Sequence, residues 1–179
     1  MKTKYISGIA AGSGALVATS IVTTAIRFFF GSVSLYRPLR VGGTLEIYAW
    51  AFYSAHLVGM RGPNNGVFGG KFLIFEPVTV GLPPIVYLVV PPLVLFIAGY
   101  VVVARADQIT RPLQVFTLIG VMGVTYAFFP FIGSFFVRVA FDRGLLMTPD
   151  PGYIVLNMGI VYPLLFGGYG GLLAYALRP

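Results

Sequence analysis

The chain has no cysteine, one histidine, one tryptophan and only five acidic residues in 179. Without cysteine there are no disulfides, no thiolate nucleophile and no sulfur-ligated metal. One imidazole and five scattered carboxylates leave no set for zinc or for a hard cation, because those sites need clustered His, Cys or carboxylate ligands. We therefore expect no metal and no cofactor. Charge of either sign is scarce. Charged residues make up 9% of the chain, against 58% hydrophobic, and the mean hydropathy is +0.89. Soluble domains carry about 25% charged residues. Too few polar side chains remain to cover a water-facing surface. The composition predicts a multi-pass protein of the cell membrane, with lipid as the solvent for most of its surface.

What charge there is runs positive, with twelve Lys and Arg, net +7 and pI near 9.9. The basic residues stand singly between apolar runs. They read as helix-end anchors at anionic headgroups, not as a nucleic-acid surface. Lys2 and Lys4 precede an apolar run that continues to about Phe30. That is longer than a signal-peptide core, and no A-x-A site closes it, so we expect a retained first helix.

A spanning helix needs about 20 mainly apolar residues. Four segments qualify, at about Tyr5 to Phe29, Leu82 to Ala104, Leu113 to Phe136 and Tyr153 to Leu177. The joins ARADQITRP and VRVAFDRGLLMTPDPG carry charge, Pro and Gly, as turns do. Asp150 before Pro151-Gly152 marks the start of the last helix. The expected fold class is all-α. It is a single integral membrane domain over 1–179, a polytopic bundle of four transmembrane helices plus an interfacial or re-entrant helix.

That extra helix lies in the long segment 31–81, followed by a Gly-rich loop. Residues 45–60 are apolar but span only about 24 Å as a helix, short of the roughly 30 Å hydrocarbon core. Within them Glu46, Trp50, Tyr53 and Leu57 form one helical stripe, and Tyr48, Phe52 and Ala55 another. Aromatics with polar tips suit headgroup depth. Five transmembrane helices are the alternative. Counting Lys and Arg on the two sides gives five against six for four spans and six against five for five. The positive-inside rule reads differences larger than this.

The order of AWAFYSAHLVG, a Gly-rich loop, VYLVVPPLVLFIAGYVVVAR and IVYPLLFGGYGGLLA resembles a group of short multi-pass proteins of halophilic archaea. Some of these carry a generic transporter label. The resemblance covers about two thirds of the chain. It implies an archaeal cell membrane and a topology of one helix, a long aromatic-rich segment and three helices. It implies no catalytic residues.

Candidate site residues come from polarity and helix breakers. Pro91 and Pro92 fall in the second span, Pro130 in the third and Pro163 in the fourth. Each removes a backbone donor. Such breaks line substrate sites in transporters, and elsewhere they shape packing. Asn157 is the candidate for an interhelical hydrogen bond, with Thr19, Thr23, Tyr126 and Tyr162 as further intramembrane polar groups. A pocket is expected where Trp50, Tyr53 and His56 meet Pro91, Pro92 and Pro130. Small-residue pairs, Gly8 with Gly12, Gly123 with Ala127 and Gly167 with Gly171, mark faces for close helix packing, within one protomer or between protomers.

No acid or base stands mid-span, which argues against a proton-coupled pump. No Ser-His-Asp set or GxSxG occurs, so we expect no enzyme. The expected role is a structural or accessory subunit of a membrane assembly, or alternatively a small oligomeric transporter or channel. The expected partners are membrane lipids and a homo-oligomer or larger membrane complex, and not nucleic acid.

Overall fold

The structure is a computed structural model that describes residues 2–30, 44–62, 67–68, 84–106, 109–140 and 146–178. It is mostly helical. The elements in order are α1 (Lys2–Phe30), α2 (Thr44–Ala55), β1 (Met60–Arg61), β2 (Val67–Phe68), α3 (Pro84–Ala104), α4 (Pro112–Gly133), β3 (Val139–Ala140), β4 (Leu146–Pro149) and α5 (Pro151–Ala176). Four helices, α1, α3, α4 and α5, are long and apolar enough to cross a membrane. Among the described residues the remaining helix, α2, has 12 residues and is about 18 Å long, which falls short of a span.

Glycines set the order of the bundle. A Cβ on Gly8 would press on Leu118 and Val121. On Gly12 it would overlap the Met122 carbonyl and crowd Thr125. Helix α1 therefore runs parallel to α4 in close contact. Likewise Gly99 abuts the Gly167 backbone, Gly170 the Phe96 carbonyl, and Gly171 Val103 and Val115, so α3 and α5 run parallel. Gly123 lies on the Gly159 carbonyl and Pro163, and Ala127 on Gly159, which sets α4 against α5 head to tail. Without a hydrophobic force between helices in lipid, such backbone approach is what holds apolar helices together. All six small residues singled out in the sequence face helices of the same chain.

The last helix is wound unusually. Pro151–Tyr153 is α-helical, Ile154–Val161 and Pro163–Gly167 are π-helical, and Gly168–Ala176 is α-helical again. Tyr162 N–H donates to the Asn157 carbonyl, five residues back. Pro91 and Pro92 do not break α3, which continues from Pro84 to Ala104.

The all-α expectation needs one amendment. At one end of the bundle the connections form a four-stranded antiparallel sheet in the order β2-β1-β4-β3. Met60 pairs with both Phe68 and Pro149, and Arg61 with Val67 and Thr148. The expected helix over 45–60 is also shorter. It stops at Ala55, and its last residues turn and enter β1. The FLIF run and, β2 apart, the rest of the Gly-rich loop lie outside the described residues.

Apolar side chains cover much of the outside. Leu113 is 75% exposed, Val124 69%, Phe129 60% and Phe128 54%, while Leu95, Val103, Ile119 and Met158 are fully buried. The helices are thus apolar on both their inner and outer faces.

Candidate functional site

The polar side chains of the bundle meet at the end of α2. This helix closes in a Schellman motif. Val58 N–H donates to the Tyr53 carbonyl and Leu57 N–H to the Ser54 carbonyl, with Leu57 at φ 55°. That left-handed position normally takes Gly, and a Leu there carries a steric cost. Asn157 supports the turn from α5. Its Nδ2 donates to the His56 carbonyl at 3.2 Å and to the Leu57 carbonyl at 2.9 Å. These are helix-end carbonyls that lack partners inside α2.

His56 is fully buried at this turn. Its Nδ1 lies 2.7 Å from the Phe52 carbonyl and its Nε2 2.5 Å from the Tyr126 hydroxyl. A carbonyl only accepts, so Nδ1 carries a proton. In the neutral ring, Nε2 then accepts from Tyr126 O–H. Tyr126 Oη also lies 3.2 Å from Thr19 Oγ1, and Thr19 Oγ1 donates to the Ala15 carbonyl at 2.8 Å. Three helices are joined through this chain.

Its proton count is informative. With a neutral imidazole, Tyr126 spends its only proton on His56, and Thr19 must choose between Ala15 and Tyr126. With one proton added, Nε2 donates to Tyr126, Tyr126 to Thr19 and Thr19 to Ala15, and every contact is served. Burial opposes that proton. It pushes the imidazole from 6.5 down to about 4, against the upward pull of the Phe52 carbonyl. At neutral pH His56 is therefore uncharged.

Tyr53, one turn earlier, is buried and donates to the Pro130 carbonyl at 2.7 Å. The structure thus brings Tyr53, His56, Pro130 and Asn157 together, with Tyr126 and Thr19. Trp50 is buried on the same helix. Pro91 and Pro92 lie on α3, where Tyr87, one turn before them, packs beside Ala55.

The path of the chain follows from these contacts. Tyr48 lies beside Ser20, Thr24 and Phe28 near the sheet end of α1, whereas His56 reaches Tyr126 and Asn157. Those two residues sit seven and six positions inside the ends of α4 and α5, about 10 Å deep. By Met60 the chain is back at the sheet. Helix α2 dips into the bundle and returns by the same end.

Two further anchors tie the ends of the bundle. Asp150, 4% exposed, caps α5 through Oδ1, which accepts from Gly152 N–H at 2.7 Å and Tyr153 N–H at 3.4 Å. Its Oδ2 accepts from Arg61 Nη2 at 2.9 Å. Its own N–H donates to the Gly59 carbonyl. At the opposite end, Arg178 donates to the carbonyls of Val103, Ala106 and Ile109, closing the C-terminus of α3. The spacing of Asp150-Pro151 signalled the cap. Nothing in the sequence paired it with Arg61.

These features define a class of protein. It is a bundle of four apolar helices of spanning length, closed over a short inserted helix whose tip carries the single histidine. The chain belongs to a family of unknown function (DUF7978), which matches residues 2–178. No curated protein and no solved structure matches it.

Proposed function

We propose that the chain is a non-enzymatic, multi-pass integral protein of the cell membrane, serving as a structural or accessory subunit of a membrane assembly. The observation that carries this reading is the use made of the interior polar groups. Tyr53, His56, Tyr126, Thr19 and Asn157 bond to one another or to helix carbonyls, and their common effect is to seat α2. Side-chain hydrogen bonds that cross between helices in this way hold them in one arrangement. The outward apolar faces of α1, α3, α4 and α5 support the membrane location, and the resemblance to proteins of halophilic archaea supports an archaeal one. Its partners in this reading are lipids and further copies or subunits.

Mass in mild detergent tests the role. A homo-oligomer or a co-purifying subunit is the expected result, and a stable lone monomer from native membranes overturns it. Topology is tested by single cysteines at Ser34 and Asn65, labelled from one side of sealed vesicles. Labelling from the same side agrees with four spans and a re-entrant α2. Labelling from opposite sides means that α2 crosses.

The second reading is a small oligomeric transporter or channel. It is favoured by the π-wound stretch of α5 beside His56, since π segments are frequent at functional sites. Flux of ions or small solutes into liposomes, altered by Pro91→Ala with Pro92→Ala, supports it. Absence of flux for every solute class removes it.

A further inference from the structure

A groove of about 460 Å³ runs between α1 and α3 on the outside of the bundle. Its walls come from one stripe on each helix, from Ser7 through Gly14 to Ala18 on α1 and from Val94 through Val101 to Arg105 on α3. Small residues ordinarily let two helices close on each other. Gly8 and Gly12 commit one such face of α1 to α4. The neighbouring small face turns toward α3, with Ala15 buried and Gly14 left exposed. A Cβ built on Gly14 meets nothing within 4 Å.

Two properties of the groove point to its occupant. The first is length. Each wall covers eleven residues of helical rise, about 16 Å, which is half of a hydrocarbon core of roughly 30 Å. The groove is as deep as one leaflet. The second is charge. Apart from Ser7 the walls are apolar until the last position of α3, where Arg105 stands exposed at the mouth. Among the described residues Arg105 forms no ion pair, the one salt bridge there being Arg61 with Asp150. An unfilled groove of this size forfeits the dispersion contacts of its walls, and hydrocarbon is the filler at hand in a bilayer.

We propose that this groove seats one hydrocarbon chain of an anionic phospholipid, with Arg105 against the headgroup. The proposal rests on the membrane reading above. Native mass spectrometry of the full chain tests it, after exchange into mild detergent with equal amounts of phosphatidylglycerol and phosphatidylcholine that carry the same phytanyl chains. The wild type is expected to carry one lipid and to prefer phosphatidylglycerol. Gly14→Leu places a side chain in the open groove and should lose that lipid while keeping the wild-type melting temperature. Ala18→Leu, at the inner end, should weaken retention in the same way and stands in for Gly14→Leu if that variant misfolds. Arg105→Gln should keep a lipid but lose about fivefold of the headgroup preference.

A wild type that carries no lipid, or a folded Gly14→Leu that retains it unchanged, overturns the proposal. So does a wild-type dimer that Gly14→Leu turns into a monomer, because the groove is then the seat of a second copy. Failure of the membrane reading shows separately, as release of the chain from cells into buffer without detergent.

Discussion

The hydroxyl of Tyr53 donates to the carbonyl of Pro130 at 2.7 Å, joining residues 77 positions apart. The same carbonyl also accepts from Ser134 N–H at 2.9 Å, so Tyr53 fills its second lone pair. Tyr53→Phe keeps the ring and leaves that lone pair unused. We expect a loss of about 1 kcal/mol. Tyr53→Ala, which also leaves a void beside Val58, should cost about 3–5 kcal/mol. Denaturant melts in detergent separate the two.

His56 gives stability a pH dependence of known sign. Its folded value lies below the ordinary one, at about 4 against 6.5. Above 6.5 neither the folded nor the unfolded state binds the proton, and the contribution is complete. Between 6.5 and about 4 the unfolded chain takes up a proton that the folded chain refuses, so stability falls as pH falls. His56→Gln should flatten the profile in that window by up to about 1.4 kcal/mol per pH unit. Parallel profiles for wild type and variant overturn the assignment of His56 as neutral.

The turn after α2 invites a paired test. Leu57→Gly relieves a left-handed backbone and should stabilise by about 1 kcal/mol, since Leu57 is 40% exposed and has little packing to lose. Asn157→Leu removes the donor to the His56 and Leu57 carbonyls and should cost about 0.6–2 kcal/mol. Because Asn157 acts through that turn, the two effects should not add in the double variant.

Close packing can be read from two glycines. Gly12→Ala drives a methyl group into the Met122 carbonyl and should destabilise by about 1–3 kcal/mol. Gly120→Ala, on the partner helix, meets nothing within 4 Å and should be neutral or raise the melting temperature through helix propensity.

Much of this architecture is written in run length. Four apolar stretches of about 20 residues admit few alternatives, and α1, α3, α4 and α5 fall on them within a few residues. Polarity inside an apolar run is equally plain, which is why Thr19, Tyr126 and Asn157 stood out. Their partners did not. His56 and Tyr126 lie 70 positions apart, and their meeting depends on how deep α2 enters, which no periodicity encodes. Strands of two residues, such as Met60–Arg61, are too short to show alternation. The end of α2 at Ala55 carries no sequence signal for a related reason. Its stop is a Leu in a glycine conformation, held by an Asn from another helix. Arg178 read as a headgroup anchor because a terminal cation looks the same whether it faces phosphate or carbonyls.

The junction at Asp150 has a mechanical consequence. Gly59, Arg61 and Asp150 fasten the returning strand of α2 to the first turn of α5 by three hydrogen bonds and an ion pair. The inserted helix cannot swing out as a free flap. Any displacement of it hauls the start of α5 along, and with it the loosely coiled stretch that follows, so the two segments travel as one lever.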